Sequence, residues 1–237
     1  MKIKIVFIVL IFITFFSCNK DEIINPAFNV TTRTLDITNF TNLDISDNFN
    51  VLVTFDTISE VVSNRANDNL HEFIEITNFN GTLKAKIKDG VSISGAPTMD
   101  LIIDAKTLID IKLSDNANLT FFNKLITSDL NIVASGNTSM GGKLVLSNAK
   151  FNLSGNAKLN FGGNTSKLTI NQIGNSEIIN FDFVSDSIFS TMSGNSKSSL
   201  TANKYLNLSA TENSNFDYMG NPLIVKSLSG NAKINKK

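Results

Sequence analysis

Tryptophan is absent from this chain, and cysteine and histidine occur once each. A single cysteine, Cys18, excludes an internal disulfide framework, so packing and hydrogen bonds must hold the fold together. With His71 as the one histidine, no His/Cys cluster of the kind that holds zinc is available, and neither a metal nor another cofactor is expected. A lone histidine of this sort reads as a surface or core-edge residue. Arginine is nearly missing, with Arg33 and Arg65 its two instances. Basic and acidic residues balance at 21 each, and no basic stripe breaks the balance, which excludes nucleic acid as an expected partner. Proline is scarce at 3 residues, and no stretch beyond Ile111 carries a 3.6-residue apolar period, so helices are not expected there.

What the chain has instead is a phrase that returns. From Ile111 onward an apolar residue, Ser or Thr, Gly or an acid, Asn and a small residue recur, as in Leu153-Ser154-Gly155-Asn156-Ala157 and Leu228-Ser229-Gly230-Asn231-Ala232. The copies centre on Asn116, Asn137, Asn156, Asn175, Asn195, Asn213 and Asn231, with steps of 21, 19, 19, 20, 18 and 18 residues. Two are looser, since Ile173 replaces the Ser before Asn175 and Glu212 replaces the Gly before Asn213. A degenerate copy, Ile93-Ser94-Gly95-Ala96-Pro97, precedes the series, and Ile45-Ser46-Asp47-Asn48 lies farther upstream. A near-constant step of this length with a turn signal at each return means a stacked repeat.

Gly and Asn reach positive φ with least strain, so each phrase is a sharp corner and the asparagines themselves are expected in the left-handed region. The flanks alternate, as in Leu130-Asn131-Ile132 and Leu206-Asn207-Leu208, which reads as strand with one buried face. Three residues after the corner the chain is apolar again at Met99, Leu119, Met140, Leu159, Ile178, Phe216 and Ile234. A coil of about 20 residues at roughly 3.3 Å each has a perimeter of ~65 Å, enough for three short strands and three corners. The fold class is all-β, a right-handed parallel β-helix of roughly 18–21 residues per coil. Like residues should stack from coil to coil, the corner asparagines included, each side-chain amide bonded to the next. Phe121, Phe151, Phe161, Phe181, Phe189 and Phe216 suit a core ladder.

Upstream, the alternation in residues 40–55, 61–66, 74–76 and 83–87 reads as further strands, with a hairpin turn at Asn78-Phe79-Asn80-Gly81 and one helical turn near Asp68. This less regular part should cap one end of the stack, because end repeats must cover an open core. At the other end Pro222, Lys233, Lys236 and Lys237 are residues that blunt an exposed strand edge.

The first residues read as a leader. Lys2 and Lys4 precede an apolar run from Ile5 to Phe16, too short for a comfortable membrane span. Ser17-Cys18 closes it and resembles a bacterial lipobox, which implies cleavage before Cys18 and acylation of that residue, although Phe15 stands where Leu is usual. Asn19-Lys20-Asp21-Glu22 resembles the surface-export signal of certain Gram-negative lipoproteins. The expected organisation is a signal peptide over residues 1–17, a tether over 18–35, and one domain over 36–237, less regular to 92 and regular from 93.

Three features carry a family resemblance: Phe40-Thr41-Asn42-Leu43-Asp44-Ile45 followed by Phe49-Asn50-Val51; Asp68-Asn69-Leu70 leading to Asn80-Gly81-Thr82-Leu83-Lys84 and Ile87-Lys88-Asp89-Gly90; and the Leu-Ser-Gly-Asn-Ala series. Together they resemble the auto-transporter adhesin family with a head GIN domain, over about residues 36–235. The resemblance implies a β-helical fold, secreted or surface-anchored, and supplies no catalytic residues.

The residues themselves argue against an enzyme. Polysaccharide lyases of this shape resemble sites with clustered Asp and an Arg or Lys base, yet no Arg follows Arg65, and Asp100, Asp104, Asp182, Asp186 and Asp217 fall at unequal offsets from their corners. Glycoside hydrolysis needs paired carboxylates, and no pair among these is expected to converge. Tyr205 is expected to face outward. The function read from the sequence is a non-catalytic outer-membrane lipoprotein held by a lipid anchor, with a glycan or a cell-surface protein as its partner. The alternatives are a self-associating structural component and, behind it, a polysaccharide-active enzyme.

Overall fold

A computed structural model describes residues 22–55 and 58–237. The expected leader and Cys18 lie outside the described residues. Nine strands make up the N-terminal part: β1 (Glu22–Ile24), β2 (Val30–Leu35), β3 (Asn42–Ile45), β4 (Asn50–Phe55), β5 (Val61–Asn67), β6 (Ile74–Phe79), β7 (Thr82–Ile87), β8 (Val91–Ile93) and β9 (Met99–Ala105). The coils follow as β10 (Asp110–Leu113), β11 (Asn118–Ala134), β12 (Ser139–Leu153), β13 (Lys158–Gln172), β14 (Glu177–Met192), β15 (Lys197–Ala210), β16 (Asn215–Met219), β17 (Leu223–Leu228) and β18 (Lys233–Lys236). From β10 onward every pairing is parallel, and the chain forms a β-solenoid of about seven turns.

Each coil is a nearly continuous strand broken by one turn. Within Ser139–Leu153 buried and outward residues alternate except at Gly141–Lys143 and Ser147–Asn148, where neighbours stay outside. With the Ser154–Ala157 turn these breaks make three bends per coil. Gly163 sits at the first of these breaks in the next coil with φ of 110°, where an added Cβ would fall 1.9 Å from the Leu144 carbonyl oxygen. Only glycine lets two coils approach that closely.

The corner geometry differs from the sequence expectation in one respect. The left-handed residue is the one before each asparagine: Asp47, Asp115, Gly136, Gly155, Gly174, Gly194, Glu212 and Gly230 have φ between 60° and 82°. The asparagines do not. Ala157 N–H donates to the Ser154 carbonyl at 3.4 Å, so positive φ at the first central position gives the signature of a II′ turn. The small residue closing the phrase points inward, with Ala117, Ala157, Ser176 and Ser196 fully buried.

The asparagine side chains form an unbroken ladder. Asn116 Nδ2 donates to Asn48 Oδ1 at 2.8 Å, and the same bond repeats through Asn137, Asn156, Asn175, Asn195, Asn213 and Asn231 at 2.7–3.0 Å. Beneath it the backbone repeats the pattern, as Asn156 N–H donates to the Gly136 carbonyl at 2.8 Å.

The first rung is Asn48, not the degenerate copy at residues 93–97. β3 lies between β10 and β7, and β4 lies between β11 and β9. The coil of residues 42–55 is thus inserted beneath a coil 68 residues later in sequence, with Leu43 under Ile111 and Val51 under Leu119. Leu101 follows beneath Val51, so Leu101 takes the ladder position expected for Met99. Regular coils begin at β10 rather than at residue 93, because the intervening chain is spent on the cap. In that cap β6 and β7 form the expected hairpin, with Asn80 and Gly81 both at positive φ, and Asp68–Leu70 is a single 3-10 turn.

Residues 22–35, expected as a tether, are strands. β1 pairs with β8 in parallel, and β2 pairs with β5 antiparallel. These strands are held by backbone bonds with little burial, so no apolar alternation announces them.

The core is aliphatic with a run of rings. Phe55, Phe121, Phe161, Phe151 and Phe183 follow one another at centroid distances of 5.0, 5.7, 6.1 and 6.0 Å. Phe181 and Phe189 do not belong to it. Strand alternation turns both outward, and Phe183 takes the inward place.

His71 is 7% exposed and sits at the core edge of the cap. Its Nε2 lies 3.0 Å from Thr31 Oγ1 and its Nδ1 3.1 Å from Asn64 Nδ2, tying β2 to β5. Burial, then the charge of Arg33, hold the imidazole below its ordinary 6.5, against the smaller opposing effects of Thr31 and Asp68.

Three measurements check this account. Glu212 stands at φ of 60° with its Cα and backbone stacked between two glycine corners, so Glu212→Gly should raise stability in urea by about 1 kcal/mol. Asn156→Ala and Asn156→Val should both cost about 1–2 kcal/mol through the two lost ladder bonds; a much larger cost for Val would return the strain to Asn156 itself. For His71 the folded state favours the neutral ring, so stability should be full above pH 6.5 and fall as the pH drops through 6.5, where the unfolded chain takes up its proton first. His71→Gln should flatten the melting temperature between pH 7 and 5; Asp89, Asp186 and Asp217, held below their ordinary 3.8, act at lower pH.

Candidate functional site

Because coils stack in register, a residue's offset from its corner asparagine fixes its column on the outer surface. Six residues before the corner lie Asn42, Asp110, Asn131, Lys150, Thr169, Phe189, Asn207 and Val225, paired in that order from coil to coil. Eight residues before it lie Asp129, Asn148, Lys167, Ser187, Tyr205 and Leu223, paired in the same way. Strand alternation sends both columns outward.

Between them runs an open groove of about 590 Å³, floored by Leu130 and Ala149 and walled by Asp110, Asp129, Asn131, Asn148, Lys150 and Lys167. Asn131 Nδ2 donates to Asp110 Oδ2 at 3.0 Å, and Asn148 Nδ2 donates to Asp129 Oδ1 at 2.9 Å. Each carboxylate therefore keeps a free acceptor oxygen while its orientation is fixed by the amide on the next coil. Among the described residues Lys150 makes no ion pair, and Lys167 extends its ammonium over the Phe189 ring at 5.3 Å from the centroid. Beyond the groove on the same two columns stand Phe189 and Tyr205, their centroids 5.6 Å apart at an interplanar angle of 50°.

The two columns offer, in order along the solenoid, carboxylate acceptors, amide donors and acceptors, two ammonium groups and a half-buried aromatic surface. Such a series can hold a flat, hydroxyl-rich chain by bidentate hydrogen bonds and ring stacking. A smaller hollow of about 370 Å³ lies between Leu52, Ile102 and Thr120. There Arg65 Nη1 meets Asp100 Oδ2 at 2.6 Å, and the pair forms one wall.

The carboxylates singled out from sequence are dispersed. Asp100 is taken by Arg65, Asp186 by Lys204 at 2.9 Å and Asp217 by Lys237 at 3.3 Å. The hydrogen bond from Lys204 holds Asp186 below the ordinary carboxylate value. Asp104 points outward from β9 on the same side as Asp100, and Asp182 is exposed on β14. Asp110 and Asp129, which do share a groove, were not among the residues read from sequence. Their signal was the offset from the corner, applied to every polar residue rather than to selected aspartates. Among the described residues no group of three or more metal-ligating side chains exists. Tyr205 is half-buried on the outer surface, where its sequence placed it.

The model of the family described as putative auto-transporter adhesin, head GIN domain, matches residues 39–222. No curated protein matches the chain. Among solved structures, a putative adhesin from Bacteroides fragilis is similar with a TM-score of 0.83 at 19% identity, over 90% of this chain and 99% of that one. A putative lipid binding protein from Parabacteroides distasonis follows at TM-score 0.74 and 18% identity, over 91% and 100%. A putative adhesin from Parabacteroides merdae reaches TM-score 0.69 at 16% identity, over 92% and 99%. At such identities the likeness is one of fold.

Proposed function

Since the chain belongs to the putative auto-transporter adhesin, head GIN domain family, we propose that it is a non-catalytic lipoprotein of the outer membrane, anchored through acylated Cys18, that binds a glycan along the outer face of its solenoid. The observation that carries this reading is the groove walled by Asp110, Asp129 and Lys150, with the Phe189–Tyr205 pair farther along the same two columns. Its repeat suits a polymer. Coils rise by about 4.8 Å, comparable with one sugar ring, so a polysaccharide laid along the axis stays on the same two columns and meets a new coil at each unit. The groove is open rather than enclosed, which fits holding a chain more than isolating a reaction from water. Both carboxylates are steered by asparagines, with no histidine or arginine beside them.

Self-association has one observation in its favour: the last coil leaves β17 paired on one side, with Leu223 69% and Val225 48% exposed. Against it, Lys226 pairs with inward-facing Leu208 and so stands over the open end of the core, and Lys233 and Lys236 follow on β18. Charge placed there repels a second copy of the same end.

Leaderless protein should bind acidic or neutral polysaccharides on a glycan array and elute as a monomer. Tyr205→Ala and Lys150→Ala should each weaken binding on the order of tenfold, while Lys143→Ala, on another side of the coil, should not. A protein that binds no glycan, or a binder indifferent to Tyr205 and Lys150, overturns the assignment of this groove. A stable oligomer on sizing would favour the structural reading.

A further inference from the structure

The stretch next to Cys18 is strapped to the body almost from its start. Glu22 N–H donates to the Gly90 carbonyl at 2.8 Å, and Ser94 N–H donates to the Ile24 carbonyl at 3.0 Å. Ser94 Oγ also bonds Asn25 Oδ1 at 2.5 Å. Farther along, Asn69 grips both sides of the next bend, accepting from Ala27 N–H at 2.8 Å and donating to the Asn25 carbonyl at 2.9 Å. Asn67 Nδ2 donates to the Ala27 carbonyl at 2.6 Å, and β2 then continues along β5. From Glu22 onward the backbone has fixed partners on the cap.

This strap carries apolar side chains on its outside. Ile23 is 67% exposed, Val30 is 36% exposed and Phe28 is fully exposed. The bonds around Phe28 hold its backbone at Ala27 and Asn29, both fastened to the Asn67–Asn69 bend, so the ring is presented outward by a rigid frame. One exposed apolar residue is ordinary, but three within eight residues of one braced strap exceed scattered exposure and suit a surface that is covered. The distance to Cys18 says by what. Asn19, Lys20 and Asp21 are the residues between Cys18 and the first strapped residue. Four Cα steps, even fully extended, reach at most about 14 Å.

We infer that the strap at residues 22–30 lies against the bilayer itself, with Phe28, Ile23 and Val30 entering the lipid interface beside the acyl chains of Cys18. The inference rests on the anchored reading above. It replaces a protein floating on a leash with one seated on the membrane by its N-terminal cap. Two contacts then act together: the acyl chains supply the attachment, and the aromatic and aliphatic side chains fix the side on which the solenoid rests.

The chain lacks tryptophan, so Phe28→Trp introduces a single fluorescent reporter. Full-length Phe28→Trp protein, purified from bacterial membranes, is placed on vesicles of phosphatidylethanolamine and phosphatidylglycerol, with and without bromine-labelled acyl chains. The expected result is a blue-shifted emission that brominated lipid quenches. Leu223→Trp, in the last coil, should stay red-shifted and unquenched on the same vesicles. Flotation with the vesicles while Trp at position 28 stays water-exposed overturns the seated arrangement and leaves the anchor standing. A mass showing Cys18 unmodified, with no flotation, overturns the anchor and the seating together. A blue shift already present without vesicles would assign the covering surface to another protein copy and overturn the inference.

Discussion

Everything in this molecule depends on coil lying over coil without slippage. A parallel strand stack has a weak sense of register, since a shift by two residues keeps every side chain on its own face. The corner removes that freedom. A residue with positive φ, a backbone bond to the corner beneath and an asparagine amide bonded to the next amide occur together at one place per coil. No slipped arrangement makes all three. The core ladders, the surface columns and the groove follow from this single recurring lock.

The lock also explains where the phrase tolerates change. Asp47 and Asp115 take the left-handed position that glycine holds elsewhere, and both carboxylates are used. Asp47 Oδ2 accepts the Ile87 N–H at 2.8 Å, closing the stack toward the cap, and Asp115 Oδ2 accepts the Asp47 N–H at 3.3 Å. A side chain that gains bonds can offset the cost of its backbone. In the flanking column, Glu177 lies 3.6 Å from both Lys158 and Lys197, so alternating charge reinforces the same stacking. Exposed pairs of this kind contribute little singly, but they disfavour a shift that would set like charges face to face.

The solenoid was legible in the sequence because its signal is periodic, and a period survives loose copies such as those at Asn175 and Asn213. The cap was legible only in pieces. Strands such as Thr82–Ile87 alternate and can be seen, but which coil lies over which is a long-range choice that no local pattern encodes. Asn48 and Gly95 both head plausible corners, and the choice between them was made by packing between residues 68 positions apart. β1 and β2 escaped notice for the opposite reason: they bury little, so no apolar rhythm marks them. The groove was present in the sequence as two columns at fixed offsets from the corners, visible once register is known and hidden while aspartates are compared one by one.

One further result comes from the coil of residues 42–55 being clasped between chain that is made after it. The turns from β12 to β15 touch neighbours one step away in sequence and can be lost one after another from the open end. The clasped coil cannot be shed without parting two interfaces at once, one toward β7 and β9 and one toward β10 and β11. Unravelling therefore has a direction. It starts at the last coil and runs toward the N-terminal cap, which opens last, so the molecule is sturdiest at the end where its chain begins to fold back on itself.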